Sequence, residues 1–134
     1  MKKLFFIITI ATSISIGIIS CQNDKADVVY PASGSGGCDT TTVRYSVEVQ
    51  GVLNTYCQRC HGGTADAGAG IQLYDYGTAS GYALDGYGIN GEGSLLSSVL
   101  QDGGVEPMPL GGGKIDDCSI NIIRAWTNAG APNN

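Results

Sequence analysis

The residues of this chain with the clearest chemistry are Cys57-Gln58-Arg59-Cys60-His61, a Cys-x-x-Cys-His motif. Two thiols three positions apart can each add to one vinyl group of the same porphyrin. The histidine that follows then lies under the iron and can donate an imidazole nitrogen to it. The motif is typical of a c-type haem attachment site. It predicts Cys57 and Cys60 as the covalent haem thioethers and His61 as the proximal iron ligand.

Three other interpretations of this motif are a redox dithiol, half of a zinc site, and chance. A redox dithiol has no need for the histidine. A closed zinc site needs four ligands, and His61 is the only histidine in the chain. Haem c with its iron is therefore the predicted cofactor.

Residues 1–20 have the features of an export signal. Lys2 and Lys3 precede an uncharged apolar run over residues 4–19, which ends in Ser20-Cys21. This pattern is typical of a bacterial lipoprotein signal peptide that is cleaved before Cys21, whose sulfur then receives lipid. The alternative is an uncleaved membrane anchor, although the run is shorter than the roughly 20 residues that cross a bilayer core. Both interpretations predict a membrane-anchored protein of the bacterial cell envelope, facing the periplasm or the exterior, where c-type haem is attached.

The rest of the chain divides into a tether and one domain. Residues 21–37 are polar and end in Ser33-Gly34-Ser35-Gly36-Gly37, so they bury too little apolar surface to fold and should form a lipidated flexible tether. Residues 38–134 are long enough for a single small domain. A core of that size benefits from a covalent staple, and an attached haem would supply a large apolar body to pack around.

The mature chain is strongly acidic. Removal of Lys2 and Lys3 from the formal charge of −5 leaves 5 basic against 12 acidic residues, a charge of −7. No basic run is present to hold phosphates, so nucleic acid is not an expected partner. The acidity either keeps the protein soluble or steers a partner, and both interpretations stay open.

Helical periodicity occurs in three segments. Val49, Val52, Leu53 and Tyr56 follow the i, i+3, i+4, i+7 pattern and run into Cys57, with Ser46 as the expected N-cap. A short helix is predicted over residues 94–101. The last helix is predicted over residues 117–129.

The last helix carries both start and stop signals. Asp116 is its expected N-cap, and Ile115 and Ile120 form the expected hydrophobic staple around that cap. Its predicted buried stripe is Ile122, Ile123, Trp126 and Ala129. Gly130 and Pro132 then end it. Residues 62–113 hold 15 of the 21 glycines and are predicted to be loops wrapped around something rather than strands.

Several motifs, in their order along the chain, resemble the class I monohaem cytochrome c family. They are Tyr45-Ser46…Val52-Leu53…Cys57-x-x-Cys60-His61-Gly62, then Pro107-Met108-Pro109-x-Gly111-Gly112, then Ile123-x-x-Trp126…Gly130-Ala131-Pro132. The resemblance covers most of residues 38–134. It implies an all-α cytochrome c fold, with helices wrapped around one covalent haem and with glycine-rich loops.

The same resemblance implies a function in electron transfer. The expected protein is a single-electron carrier rather than an enzyme. It would have redox proteins of the envelope as partners, the lipid membrane as a second contact through Cys21, and no small-molecule substrate. Its iron would have Met108 as distal ligand. Met108 is also the only thioether left after the signal is removed, and it lies between two prolines and before three glycines. A methionine is otherwise an ordinary core filler.

One departure from the family concerns the orientation of His61. Many members place a proline about ten residues after the histidine, and its carbonyl orients the imidazole. Residues 62–106 contain no proline. A backbone carbonyl within residues 68–73 is the expected substitute.

Cys38 and Cys118 remain once lipid and haem have taken the other three cysteines. Two remaining thiols in an oxidising compartment predict a disulfide, since each lies next to the start of a long helix and the two helices are expected to cross. Two buried free thiols are the alternative.

Two further functions stay open. A small peroxidase-like haem enzyme would need an open iron site and a distal acid or base, for which the chain offers no second histidine and only weak choices such as Glu106. The other alternative is a haem subunit of a larger oxidoreductase complex.

Overall fold

The computed structural model describes residues 38–134. The predicted signal peptide, the lipidation site Cys21 and the tether therefore lie outside the described residues. Residues 38–134 are helical and contain no strand, which agrees with the predicted all-α class. None of the helices in this part of the chain has the length and apolar character needed to cross a membrane.

Four helices make up the described domain. Helix α1 covers residues 45–61 in four segments that follow one another without a break: Tyr45–Val49, Gln50–Val52, Leu53–Cys57 and Gln58–His61. The others are α2 (Tyr76–Leu84), α3 (Ser94–Leu100) and α4 (Asp117–Asn128), with 3₁₀ turns at Asp66–Gly68 and Ile89–Gly91. The first and third segments of α1 are π-helical. The Val49 N–H, for example, donates to the Arg44 carbonyl five residues earlier at 3.2 Å.

The core forms where α4 packs against α1, α2 and α3. Trp126 of α4 is fully buried and stacks on Tyr45 of α1, with ring centroids 5.5 Å apart. Tyr76 of α2 meets the same Tyr45 ring edge-on at 5.1 Å. One aromatic residue from each of three helices thus joins a small cluster centred on the Tyr45 ring. This cluster holds the start of α1 against the rest of the domain.

The prediction for the last helix is largely confirmed. The Asp116 side chain accepts a hydrogen bond from the Ser119 N–H at 3.0 Å, as an N-cap does. Ile115 and Ile120 are both buried in the same core. The helix ends at Asn128, and Gly130 has a φ of +84°, the left-handed conformation of a helix stop. The expected burial of Ala129 is wrong. That residue lies just past the last helical residue, and its side chain is exposed.

The prediction that Ser46 is the N-cap of α1 is also wrong. The helix begins at Tyr45, and the cap comes from the far end of the chain. The Asn134 side-chain carbonyl accepts from the Tyr45 N–H at 2.7 Å, and the Asn134 main-chain carbonyl accepts from the Ser46 N–H at 3.0 Å. Two free N–H groups at the helix start are thereby satisfied by one residue that is 89 positions away.

Replacement of this distant cap should destabilise the domain. Asn134→Ala is expected to lower the free energy of unfolding by about 1 kcal/mol, the usual cost of a lost N-cap. Chemical denaturation of the full-length protein measures the change. Asn133→Ala removes an exposed neighbouring amide and should have a much smaller effect. Equal effects of the two variants would show that the contacts of Asn134 do not stabilise α1.

Helix α2 contradicts the prediction that residues 62–113 are loop apart from the short helix over residues 94–101. It spans Tyr76–Leu84 despite Gly77 and Gly81 within it. Its buried positions are Ala79 and Ala83, which are small and give a weak apolar pattern. The Asp75 carboxylate caps it by accepting from the Thr78 N–H at 2.9 Å, and Asp75 is the local signal that could have predicted its start. Helix α3 agrees with its prediction and ends one residue early, because Gln101 adopts a left-handed φ of +52°.

A second hydrogen bond at Asp116 joins α4 to α1. The Tyr56 hydroxyl donates to the Asp116 carboxylate at 2.8 Å, and the Ser119 hydroxyl donates to it at 2.6 Å. Partial burial raises the pKa of Asp116, but the hydrogen bonds from Ser119 and Tyr56 lower it by more. The net result is a pKa below the ordinary value for an aspartate.

This lowered pKa predicts acid sensitivity. A carboxylate whose pKa is lower in the folded than in the unfolded state stabilises the fold at pH values above its unfolded-state pKa of about 4. That stability is lost as the pH falls below about 4 and through the lower folded-state pKa. Asp116→Asn keeps a capping side chain that does not titrate. Its denaturation midpoint should therefore fall less between pH 7 and pH 3 than that of the unmodified protein. Asp117→Asn, one residue along, is the control and should keep the full pH dependence.

Candidate haem attachment site

The Cys-x-x-Cys-His motif forms the last turn of α1. Gln58–His61 is regular α-helix, and the Gly62 N–H closes it on the Gln58 carbonyl at 2.9 Å. The Cys57 side chain is half-buried, the Cys60 side chain is exposed, and both thiols are free. Burial raises the pKa of the Cys57 thiol to about 11. Reactive redox dithiols depend instead on a lowered pKa, so this environment argues against the dithiol interpretation.

The zinc interpretation lacks partners in the described part of the chain. Residues 38–134 bring together no group of three or more histidine, cysteine or carboxylate side chains that could hold a metal ion. Cys57, Cys60 and His61 therefore have no nearby side chains that would complete a four-ligand zinc site.

The His61 ring is held in one orientation by the main chain. Its side chain is buried, with 9% exposure. Its Nδ1 lies 3.0 Å from the carbonyl oxygen of Ile71, ten residues along the chain. A carbonyl can only accept, so this contact assigns the proton to Nδ1 and leaves the lone pair on Nε2 for a metal. Ile71 lies within residues 68–73, where the sequence predicts such a carbonyl in the absence of a proline.

A second hydrogen bond fastens the same segment across the end of α1. The Leu73 N–H donates to the His61 carbonyl at 2.9 Å. His61 is thus bonded through its ring to Ile71 and through its main chain to Leu73. Residues 71–73 therefore fix both the backbone position and the imidazole orientation of His61.

Gly68 makes this close approach possible. A Cβ at position 68 would lie 2.5 Å from His61 Nδ1, 2.9 Å from its Cε1 and 2.7 Å from the Cys60 carbonyl oxygen. No real methyl group occupies such a space, so the loop can pass under the imidazole only with glycine here. The sequence shows a glycine-rich segment but gives no sign of which glycine is required for this reason.

The loop between His61 and Ile71 has an uncommon backbone. Ala65 and Ala69 both have a φ of +53°, a left-handed conformation that costs an alanine about 1–2 kcal/mol. The loop is held by its own hydrogen bonds, since the Ala65 carbonyl accepts from the N–H groups of Gly68 and Gly70 at 2.9 and 3.0 Å. Strained residues of this kind persist where the surroundings determine the conformation, and they concentrate at functional sites.

Met108 is half-buried and is fastened to the end of α3. Its N–H donates to the Ser98 carbonyl at 2.9 Å, and its own carbonyl accepts from the Gln101 side-chain amide at 3.1 Å. The same amide lies 3.4 Å from the Gly112 carbonyl. Gln101 therefore ties both ends of the segment 108–112 to α3. That Met108 and His61 ligate one iron stays a prediction.

The two remaining cysteines lie together. The Cys38 and Cys118 sulfur atoms are at bonding distance, with their Cα atoms 5.5 Å apart, within the range that a disulfide requires. The bond would join the segment that precedes α1 to the first turn of α4.

Comparison of the chain with protein-family models, with curated proteins and with solved structures finds no match. The donor groups nevertheless fit a c-type haem. Two free thiols lie one turn apart on a helix, next to an imidazole that is oriented through Nδ1 and keeps Nε2 for a metal.

Proposed function

We propose that this chain is a single-electron carrier of the bacterial cell envelope with one covalently attached c-type haem and a cytochrome c fold. The observation that carries the proposal is the 3.0 Å contact between His61 Nδ1 and the Ile71 carbonyl, directly after two free thiols in Cys-x-x-Cys spacing. A haem c held there supplies one iron that alternates between the ferrous and ferric states. The lipid anchor at Cys21 belongs to the same proposal and lies outside the described residues.

Each residue has a separate role in this proposal. Cys57 and Cys60 would hold the haem through thioether bonds, His61 would bind its iron through Nε2, and Met108 would supply the second protein ligand. The Ile71 carbonyl prevents rotation of the imidazole and increases its basicity as a ligand. Gln101 limits the movement of Met108, so little reorganisation is needed when the iron changes charge.

The proposal is tested by covalent haem content. The full-length chain is produced in cells that attach c-type haem, then extracted with acidified organic solvent. One haem per chain should remain bound, because thioether bonds survive this treatment. The matched control, Cys57→Ala with Cys60→Ala, should lose all haem on extraction. Complete loss of haem from the unmodified chain would refute the proposal.

Met108 has its own test. Met108→Ala is expected to open the sixth position of the iron and to lower the reduction potential, because a thioether ligand favours ferrous iron. The ferric protein should also lose the near-infrared sulfur-to-iron charge-transfer band. Absence of that band from the unmodified ferric protein would exclude Met108 as ligand. High-spin iron in the unmodified protein would favour a peroxidase-like enzyme, whereas stable co-purification with membrane partners would favour a haem subunit of a larger complex.

A further inference from the structure

Three large apolar side chains are exposed in the connection between α2 and α3. Tyr87 is 77% exposed, Leu84 is 54% exposed and Ile89 is 37% exposed. Single exposed apolar residues are ordinary on protein surfaces. Three of them lie within six consecutive residues of one connection, and we call the segment of residues 84–92 that carries them the 84–92 surface.

The 84–92 surface is held in shape by hydrogen bonds rather than by apolar burial. The Gly88 N–H donates to the Glu92 carbonyl at 2.8 Å, which closes the turn. Asp85 accepts from the Ser94 N–H at 2.8 Å and from its hydroxyl at 2.6 Å, which fastens the turn to the start of α3. A surface that is ordered in this way loses little conformational entropy when a partner binds.

The net charge of the described domain comes from the part of the sequence that contains this surface. Residues 38–134 contain four basic and ten acidic residues, a formal charge of 4 − 10 = −6. No lysine or arginine occurs between Arg59 and Lys114, whereas six of the acidic residues do: Asp66, Asp75, Asp85, Glu92, Asp102 and Glu106. The remaining segments carry four basic and four acidic residues and are neutral.

Three of these carboxylates border the 84–92 surface. Asp85 and Glu92 belong to its own turn. Asp102 reaches it through Ser97, whose hydroxyl donates to Asp102 at 2.6 Å and lies 3.4 Å from the Ile89 N–H. Apolar side chains at the centre with charges of one sign at the edge are typical of a protein-binding surface.

We infer that the 84–92 surface docks a protein partner whose own apolar contact is bordered by lysine or arginine. Charge complementarity favours a basic protein partner over a second copy of the chain and over a lipid surface. A second copy of the chain would bring two acidic rims together, which costs interaction energy. An anionic lipid surface would repel the same carboxylates. That this partner exchanges electrons rests on the proposed function, but that the surface binds a basic protein does not.

The test uses the full-length protein, as purified in detergent, and a lysine-rich cytochrome c of the mitochondrial type as probe, titrated calorimetrically at low salt. Tyr87→Ser should weaken binding about fivefold or more, as loss of a central aromatic contact does. The matched control is Val47→Ser, an exposed apolar residue of α1 that is not among the residues proposed to hold the haem, and it should change the affinity by less than about twofold. Glu92→Gln should weaken binding about two- to fivefold, and this difference should disappear at high salt. Asp117→Asn, which removes one charge elsewhere, should have a smaller effect.

Equal effects of Tyr87→Ser and Val47→Ser would overturn the inference, as would absence of measurable binding by the unmodified protein. Self-association that Tyr87→Ser abolishes would identify a second copy as the occupant instead. Binding to anionic vesicles through Tyr87 would identify a membrane, and either result would also overturn it. These measurements need no electron transfer, so they remain separate from the haem test.

Discussion

Gly68→Ala is expected to lower the free energy of unfolding by about 3 kcal/mol and to move the His61 imidazole away from the Ile71 carbonyl. The new methyl group would lie 2.5 Å from His61 Nδ1 and 2.7 Å from the Cys60 carbonyl oxygen. One of these neighbours is backbone, so it cannot move aside by a change of rotamer. Relief therefore requires the loop or the last turn of α1 to shift, and both carry the proposed haem contacts.

The effect of Gly68→Ala is measured by chemical denaturation and by the reduction potential of the haem-loaded protein. A merely structural role would change stability and leave the potential alone, whereas displacement of the imidazole changes both. Gly81→Ala is the matched control. It adds the same methyl group in α2, where nothing lies within 4 Å, and should raise stability by about 0.5–1 kcal/mol. If Gly68→Ala were as stable as Gly81→Ala, the close contact with His61 would be ruled out.

Loss of the bond between Cys38 and Cys118 is expected to cost about 4 kcal/mol of stability. The bond would close a loop of 80 residues, and a cross-link over a long loop removes much of the entropy of the unfolded chain. This figure is an upper limit, because the proposed haem at residues 57–60 would also restrain the unfolded chain.

The test compares Cys38→Ser with Cys118→Ser in one chain against the unmodified protein by chemical denaturation. Reductant should destabilise the unmodified protein and leave the double variant unchanged, which is the control. Peptide mapping without reduction should recover the two segments as one linked species. Free thiols at both positions in the native protein would refute the bond.

Features that depend on residues close together in the sequence were mostly predicted correctly, whereas features that depend on tertiary contacts mostly were not. The α4 boundaries depend on Asp116 and Gly130, which lie at its own ends, and both were predictable. Helix α2 was missed because its buried residues are alanines and its interior holds two glycines. The cap of α1 was misassigned because its donors are satisfied by Asn134, a residue that only tertiary structure brings near.

The same difference between local and long-range determinants applies to the candidate site. The Cys-x-x-Cys-His spacing identifies the thiols and the histidine directly, because one helical turn relates them. The carbonyl that orients His61 could be narrowed only to residues 68–73, since a backbone acceptor carries no residue-type signal. The requirement for Gly68 could not be predicted at all, because it depends on how closely the loop approaches the imidazole.

The buried environment of Cys57 also bears on which cysteines pair during maturation. Residues 38–134 hold four cysteines, and in the proposed envelope compartment wrong pairs would compete with the bond between Cys38 and Cys118. Exchange requires a thiolate, and a thiol with a pKa of about 11 is ionised in only about one molecule in ten thousand at pH 7. In the folded chain Cys57 is therefore a slow partner for Cys60 and for any other thiol. Such an environment would favour the reduced thiol that the proposed thioether formation requires.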